Sequence, residues 1–154
     1  MIKTDEELKT SLRELAQSED APISYTAGTW KVKDRIVVWR SVAPRIYDEH
    51  LERFAAVAIQ VLGEKNPQLD LEKEDRFMAS IYGQTLAHSN TLRRGIAETL
   101  ALVGTHTDDL TSVSIDKPLE VTYRVLTEVL RDKDWKAWAS LDDILPLLAE
   151  ANSE

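Results

Sequence analysis

Apolar positions along the chain recur in two different periods, and the switches between them mark out the elements. Leu8, Leu12 and Leu15 fall on one face of a helix that ends near Gln17. Thr4-Asp5-Glu6-Glu7 opens it with capping-box spacing, Thr4 as N-cap and Glu7 three residues on. Ser18-Glu19-Asp20-Ala21-Pro22 breaks the pattern. Ile23 and Tyr25, then Trp30 and Val32 alternating with Lys31 and Lys33, give a period of two around an Ala27-Gly28 turn, which predicts a β-hairpin. Asp34 is an N-cap candidate for 35–42. There the β-branched Ile36-Val37-Val38 argues for strand, while the charge spacing and the following Ser-Val-Ala argue for helix. Helix is preferred, with Pro44 closing it.

The helical period then dominates. Asp48 is placed to cap a helix with Leu51, Phe54, Ala55, Ala58, Val61 and Leu62 as its stripe and Gly63 as its end. Glu64 to Glu74 reads as an acidic, proline-containing loop, and Asp75 to Gln84 as a short helix with Phe77, Met78, Ile81 and Tyr82 inward. The helix from Ser89 to Gly104 is predicted to be central. Ser89 is its N-cap and Gly104 its C′ residue. Leu92, Ile96, Thr99, Leu100 and Val103 share one face, and Ala97, Ala101 and Leu102 make much of the rest apolar. Gly95 costs about 1 kcal/mol against Ala in a helix interior, a cost that close approach of another backbone would offset. After a polar connection from His106 to Lys117, Pro118 sits at N1 of a helix lined by Leu119, Tyr123, Leu126, Val129 and Leu130. Asp132-Lys133-Asp134 breaks it, and Trp135 to Trp138 is one turn. Ser140 caps a last helix through Leu148, which Pro146 kinks or splits.

The class these elements define is mostly α: an N-terminal helix and β-hairpin, winged-helix-like, followed by an all-helical bundle or repeat-like segment. The boundary falls at about residue 46, giving a small module at 1–46 and a helical domain at 47–154, packed as one compact body. The first helix lacks a preceding partner and the last is barely complete, so the chain is expected to be a piece of a longer protein.

Composition narrows the function classes. The 154 residues are 43% apolar and 30% charged, which suits a soluble fold with a real core. No apolar run approaches the roughly 18 residues of a transmembrane span, and Met1-Ile2-Lys3-Thr4-Asp5-Glu6-Glu7 has no apolar signal-peptide region. The chain has no cysteine, which excludes disulfides and thiolate chemistry and fits a cytoplasmic setting. A net charge of −8 argues against a dedicated nucleic-acid binder.

Two stretches carry a resemblance. The first is Arg76-Phe77-Met78-Ala79-Ser80-Ile81-Tyr82-Gly83 together with Ser89 and Leu92 to Leu102. The second is Asp134-Trp135, Trp138-Ala139-Ser140-Leu141 and Leu145 to Glu150. Both resemble the helical middle of large bacterial proteins of the STAND-type P-loop ATPase kind, in which an NTPase domain is followed by a winged helix and helical repeats. The likeness spans roughly residues 30–150 and rests on helix-packing residues. The chain has no G-x-x-x-x-G-K-[ST] motif, so the resemblance implies a regulatory or scaffold segment without the ATPase.

Chemistry-bearing residues are sparse. His88 and His106 flank the central helix, with Asp108 and Asp109 beside the second; a carboxylate–histidine metal site is conceivable, against the simpler reading of solvated or helix-end histidines. Ser89, Ser112 and Ser114 lack a nucleophile-elbow context. Asp70, Glu72, Glu74 and Asp75 lack the spacing and glycine of a calcium loop. The one basic run is Lys31, Lys33, Arg35, Arg40 and Arg45 against Asp34, interleaved by Trp30 and Trp39. On a wing it would touch phosphates or a partner; equally, lysines on a solvated hairpin discourage edge pairing. Trp135 and Trp138, three apart, form either a partner patch or a core plug, the plug being the simpler reading.

The expectation that follows is a non-enzymatic regulatory or protein-interaction module of a larger bacterial protein, with no cofactor, metal or catalytic residue. Its partner would be another protein or other domains of the same parent chain, with no membrane. The alternative is a winged-helix nucleic-acid-binding module with a helical extension; an unrecognised small-molecule enzyme stands third.

Overall fold

The computed structural model describes residues 4–152. The chain divides into two compact units, Met1–Arg45 and Ile46–Glu154. It is mostly helical, with one small antiparallel sheet after the first helix.

In the first unit, helix α1 (Asp5–Ala16) opens with the expected capping box. The Glu7 N–H donates to the Thr4 hydroxyl at 3.3 Å, and the Thr4 N–H donates to the Glu7 carboxylate at 2.8 Å. Leu12 is half-buried and Leu15 exposed, while the side chain of Leu8 lies outside the described residues. Strands β1 (Ile23–Thr26) and β2 (Thr29–Val32) pair antiparallel, Tyr25 opposite Trp30. Ala27 and Gly28 both take positive φ, +50° and +80°, the signature of the two-residue turn whose twist matches that of the strands. The register puts Ile23, Tyr25, Trp30 and Val32 on one face. The Tyr25 and Trp30 rings lie 4.6 Å apart, and the Arg13 guanidinium sits 5.5 Å from the Tyr25 centroid. Residues 35–42 are helix α2 (Arg35–Val42). The Asp34 carboxylate accepts the Val37 N–H at 3.0 Å, and this cap outweighs the β-branched content. A short 3₁₀ turn, Ala43–Arg45, ends it at Pro44.

The second unit is built from α3 (Asp48–Leu62), α4 (Asn90–Thr105), α5 (Lys117–Leu130), α6 (Trp135–Ala139) and α7 (Leu145–Glu150). Helix α4 packs against α3, α5 and α7, and the predicted central position is observed. Ile96, Ala97, Leu100, Ala101 and Val103 of α4 are buried, as are Leu51, Ala55, Ala58 and Leu62 of α3, Val121, Val125 and Val129 of α5, and Leu148 of α7, on the helices that α4 packs against. Among the described residues no helix is long and apolar enough to cross a membrane.

Several sequence expectations are corrected. Tyr47, not Asp48, is the N-cap of α3. The Asp48 carboxylate instead accepts the Ser114 N–H at 2.8 Å and the Ser114 hydroxyl at 2.6 Å, two bonds that a local cap does not offer. Residues 75–84 are not a helix. A 3₁₀ turn at Arg76–Met78 leads into a single turn closed by Gly83 at φ +68°, with Gln84 N–H bonded to the Ala79 carbonyl and Gly83 N–H to that of Ser80. This cap stops propagation before a face can form, and Phe77 and Ile81 are 80% and 78% exposed rather than inward. Gly104 is not the C′ residue, because α4 runs to Thr105 and His106 caps it. Gly95 faces open space and meets no backbone. The close approach is at Gly104, where a Cβ would collide with the Ala151 carbonyl.

The buried ridge of α5 is Pro118, Val121, Thr122, Val125 and Val129. Of the stripe read from the sequence only Val129 belongs to it; Leu119 and Tyr123 are exposed and Leu126 and Leu130 half-buried. The compact β-branched residues fit the tight seam, and the larger side chains are left outside it. Ser140 ends α6 rather than opening α7: its N–H and hydroxyl both go to the Lys136 carbonyl, and its oxygen accepts the Asn66 N–H at 2.7 Å. The split at Pro146 is as expected, with Pro146 in the first turn of α7.

Candidate functional site

The two histidines that flank α4 do not come together. The sixteen residues of the helix separate its ends by about 24 Å. At one end His88 Nδ1 lies 2.9 Å from the Glu64 carboxylate, which also accepts the backbone N–H groups of Ala87 and His88. At the other, His106 Nδ1 bonds the Thr105 hydroxyl at 2.8 Å. Asp108 and Asp109 share the His106 end, and among the described residues no three His, Asp or Glu side chains converge on a metal position. Ser89 caps α4 through the Leu92 N–H, Ser114 is bonded to Asp48, and Ser112 is half-buried. Asp70 pairs with Lys136; Glu72, Glu74 and Asp75 are exposed.

The most buried charge in the second unit had no signal as a site. Arg93 is 2% exposed. Its Nη1 donates to the Val61 carbonyl at 3.0 Å and the Glu64 carbonyl at 3.3 Å, and its Nη2 to the Ser140 carbonyl at 2.7 Å. These are carbonyls at the C-terminal ends of α3 and α6, which helix geometry leaves without intrahelical donors. Burial lowers the Arg93 pKa, against the opposing charges of Glu64 and Asp143. Arg93 precedes Ile96 by three and Leu100 by seven, so the helical wheel did place it on the buried face. Its role is to clasp three helices.

The basic run lies in the first unit. Lys31, Lys33, Arg40 and Arg45 are exposed and Arg35 is half-buried. Lys31 faces away from Trp30, and Arg35 and Arg40, five apart on α2, point about 140° apart. The run is therefore no single stripe. Residues 1–45 hold eight basic and seven acidic residues, net +1; residues 46–154 hold eleven and twenty, net −9.

Trp135 and Trp138 are 59% and 43% exposed, so neither is a core plug. Trp138 lines an apolar groove of about 620 Å³ in the second unit; Trp135 is not part of that lining and lies by Lys136. One wall is α5, with Tyr123, Leu126, Thr127 and Leu130, and the other is Trp138 with Leu145, Leu148 and Ala149 of α7. Three members of the α5 stripe read from the sequence thus form a groove wall instead of core. Arg131 and Asn152 add the polar positions. Arg131 Nη2 donates to the Tyr123 hydroxyl at 2.9 Å, with its guanidinium 6.0 Å from the ring centroid. That bond, and then the Arg131 charge, lower the Tyr123 pKa. A second, polar cavity of about 470 Å³ lies at the start of α4, lined in part by Asn66, Arg76, Gln84, His88 and Asn90.

No family profile, curated protein or solved structure matches this chain.

Proposed function

We propose that the chain is a non-enzymatic protein-interaction module that docks a partner in the groove between α5 and α7. The resemblance of residues 76–102 and 134–150 to helical middle regions of STAND-type proteins extends the reading to a regulatory segment of a larger bacterial protein, in the cytoplasm. The partner is then another protein or another domain of the same parent chain.

The observation that carries the reading is the groove itself. An apolar slot left open to solvent, with a tyrosine, a tryptophan and an arginine at its walls, has the composition of an interface hot spot. Among the described residues, the ionisable side chains of its lining are Tyr123 and Arg131, and the rest of the lining is mostly apolar, as a docking surface requires.

The test places a photo-crosslinking amino acid at Leu130, in the groove, or at the exposed Val57 on α3, with the chain expressed in bacterial cells. A discrete protein adduct is expected from position 130 only, and lost when Trp138→Asp is added. Absence of an adduct at 130, or the same adduct from 57, overturns the proposal.

A second reading rests on the basic residues at 31–45. Exposed lysines on the hairpin suit a wing that contacts nucleic-acid phosphates, and the salt dependence of DNA binding discriminates it.

A further inference from the structure

We infer that the groove takes an amphipathic helix of two to three turns that presents a carboxylate to Arg131. The inference rests on the reading of the groove as a docking surface and names the chemistry of its occupant.

Three features select the occupant. First, the walls are helices, whose N–H groups are mostly used within the helix and whose only spare backbone groups are the last-turn carbonyls, and among the described residues no sheet edge lines the slot. An extended peptide lying there would find few backbone partners, whereas a helix satisfies its own. Second, the slot stays open along its length, with Tyr123 56% exposed. Small-molecule sites bury about 70–90% of their ligand, so a segment with its own outer face fits better. Tyr123 to Leu130 spans seven residues of α5, about 10 Å, which matches apolar anchors at i, i+3 or i+4, and i+7.

Third, the charge at the groove is specific. Arg131 gives one N–H to Tyr123 and keeps further donors in a planar fork. Covering that cation with apolar surface alone would strand a charge, so the occupant must bring an opposite one, and a carboxylate matches the fork bidentately. A second copy of this chain is disfavoured, because each helical unit carries net −9 and two would repel.

The experiment pans random displayed peptides against the full chain and, in parallel, against Leu126→Glu, Trp138→Ala and Arg131→Glu. Circular dichroism confirms that each variant is folded; Trp138 is exposed, so its truncation supplies a groove lesion even if Leu126→Glu fails to fold. Peptides enriched on the wild type and lost on the groove variants should share helical apolar spacing plus an Asp or Glu, and should gain helicity on binding. Arg131→Glu should weaken them about tenfold or more and select Lys or Arg in the acid's place. Groove-dependent peptides without that spacing, without the acid, or indifferent to Arg131→Glu overturn the inference while leaving the docking surface standing. No enrichment, or equal binding to the groove variants, overturns both.

Discussion

The carbonyl of Ala151 occupies the space that a side chain at Gly104 would fill: a Cβ there would lie 2.8 Å from the Ala151 carbonyl carbon and 3.2 Å from its Cα. The missing side chain lets the end of α7 seat on α4. Because Leu145, Leu148 and Ala149 of α7 form one wall of the groove, this contact also fixes the groove's width.

Gly104→Ala should therefore destabilise by about 1–3 kcal/mol, the cost of overpacking where the obstacle is backbone. It should also weaken whatever the groove binds. Gly95→Ala should do the reverse. Its position is exposed and open, so only the helix-propensity gain of up to about 1 kcal/mol remains. Urea midpoints of the two variants check both signs.

These two glycines show which part of the fold was legible. Periodicity and caps located α1, the hairpin, α3 and α4, because those signals are local: Thr4, Ser89, Asp34 and the Ala27-Gly28 turn act within a few residues of themselves. Gly95 and Gly104 look alike in one sequence, since what distinguishes them is a carbonyl 47 positions beyond Gly104. The same holds for Asp48, drawn off its helix end by Ser114, and for the α5 stripe, whose outer members became a groove wall once α7 was in place. Phe77 and Ile81 misled because an inward-looking spacing means nothing once Gly83 stops the helix. Trp138 was recognisable as a partner patch or a plug, and the packing around it, which leaves the ring 43% exposed, rules out the plug alone.

Arg93→Met should destabilise the second unit by about 3 kcal/mol or more, because the buried carbonyls of Val61 and Ser140 and the part-buried one of Glu64 all lose a charged donor. Arg93→Lys should recover only part of that loss, since one ammonium does not reproduce the fork that reaches both helix ends. Thermal unfolding followed by circular dichroism gives the order wild type, Lys, Met; a lysine variant as stable as wild type would remove the clasp.

Acid should weaken the fold through Glu64. Burial by itself raises its pKa, but the N–H groups of Ala87 and His88 and the His88 ring more than offset this, leaving it below the ordinary 4.5. With the folded value depressed, the unfolded chain binds the proton more tightly. The carboxylate's contribution is then fully present above the unfolded pKa and lost as pH falls through the folded one. Asp48 and Asp134 act in the same direction, through Ser114 and Lys65. Lys117, raised above 10.5 by its bonds to Glu52 and Glu120, contributes below that for as long as those carboxylates stay ionised, and its contribution is lost as pH rises through its folded pKa. Stability should thus be flat between these limits and decline in acid. Glu64→Gln should lower the plateau and make the acid decline shallower without abolishing it; an unchanged acid slope would show that Glu64 contributes nothing to it.

Duplex DNA should bind the chain weakly if the first unit is not a nucleic-acid module. A wing that grips phosphates would give duplex DNA affinity falling steeply with salt, by a slope of about 0.9 in log–log terms for each phosphate contact. Lys31 and Lys33 are the exposed lysines that such a wing would use, and Lys31→Glu/Lys33→Glu should then reduce the slope by roughly 2. Against it, Lys31 turns away from the Trp30 face, Arg35 and Arg40 diverge around α2, and net −8 repels a polyanion at longer range. The expected outcome at about 50 and 200 mM salt is weak affinity that the double substitution leaves unchanged. Submicromolar binding with a slope that the substitution flattens would make the first unit a nucleic-acid module. Binding that survives the substitution would keep DNA as a partner and move the contact off the hairpin.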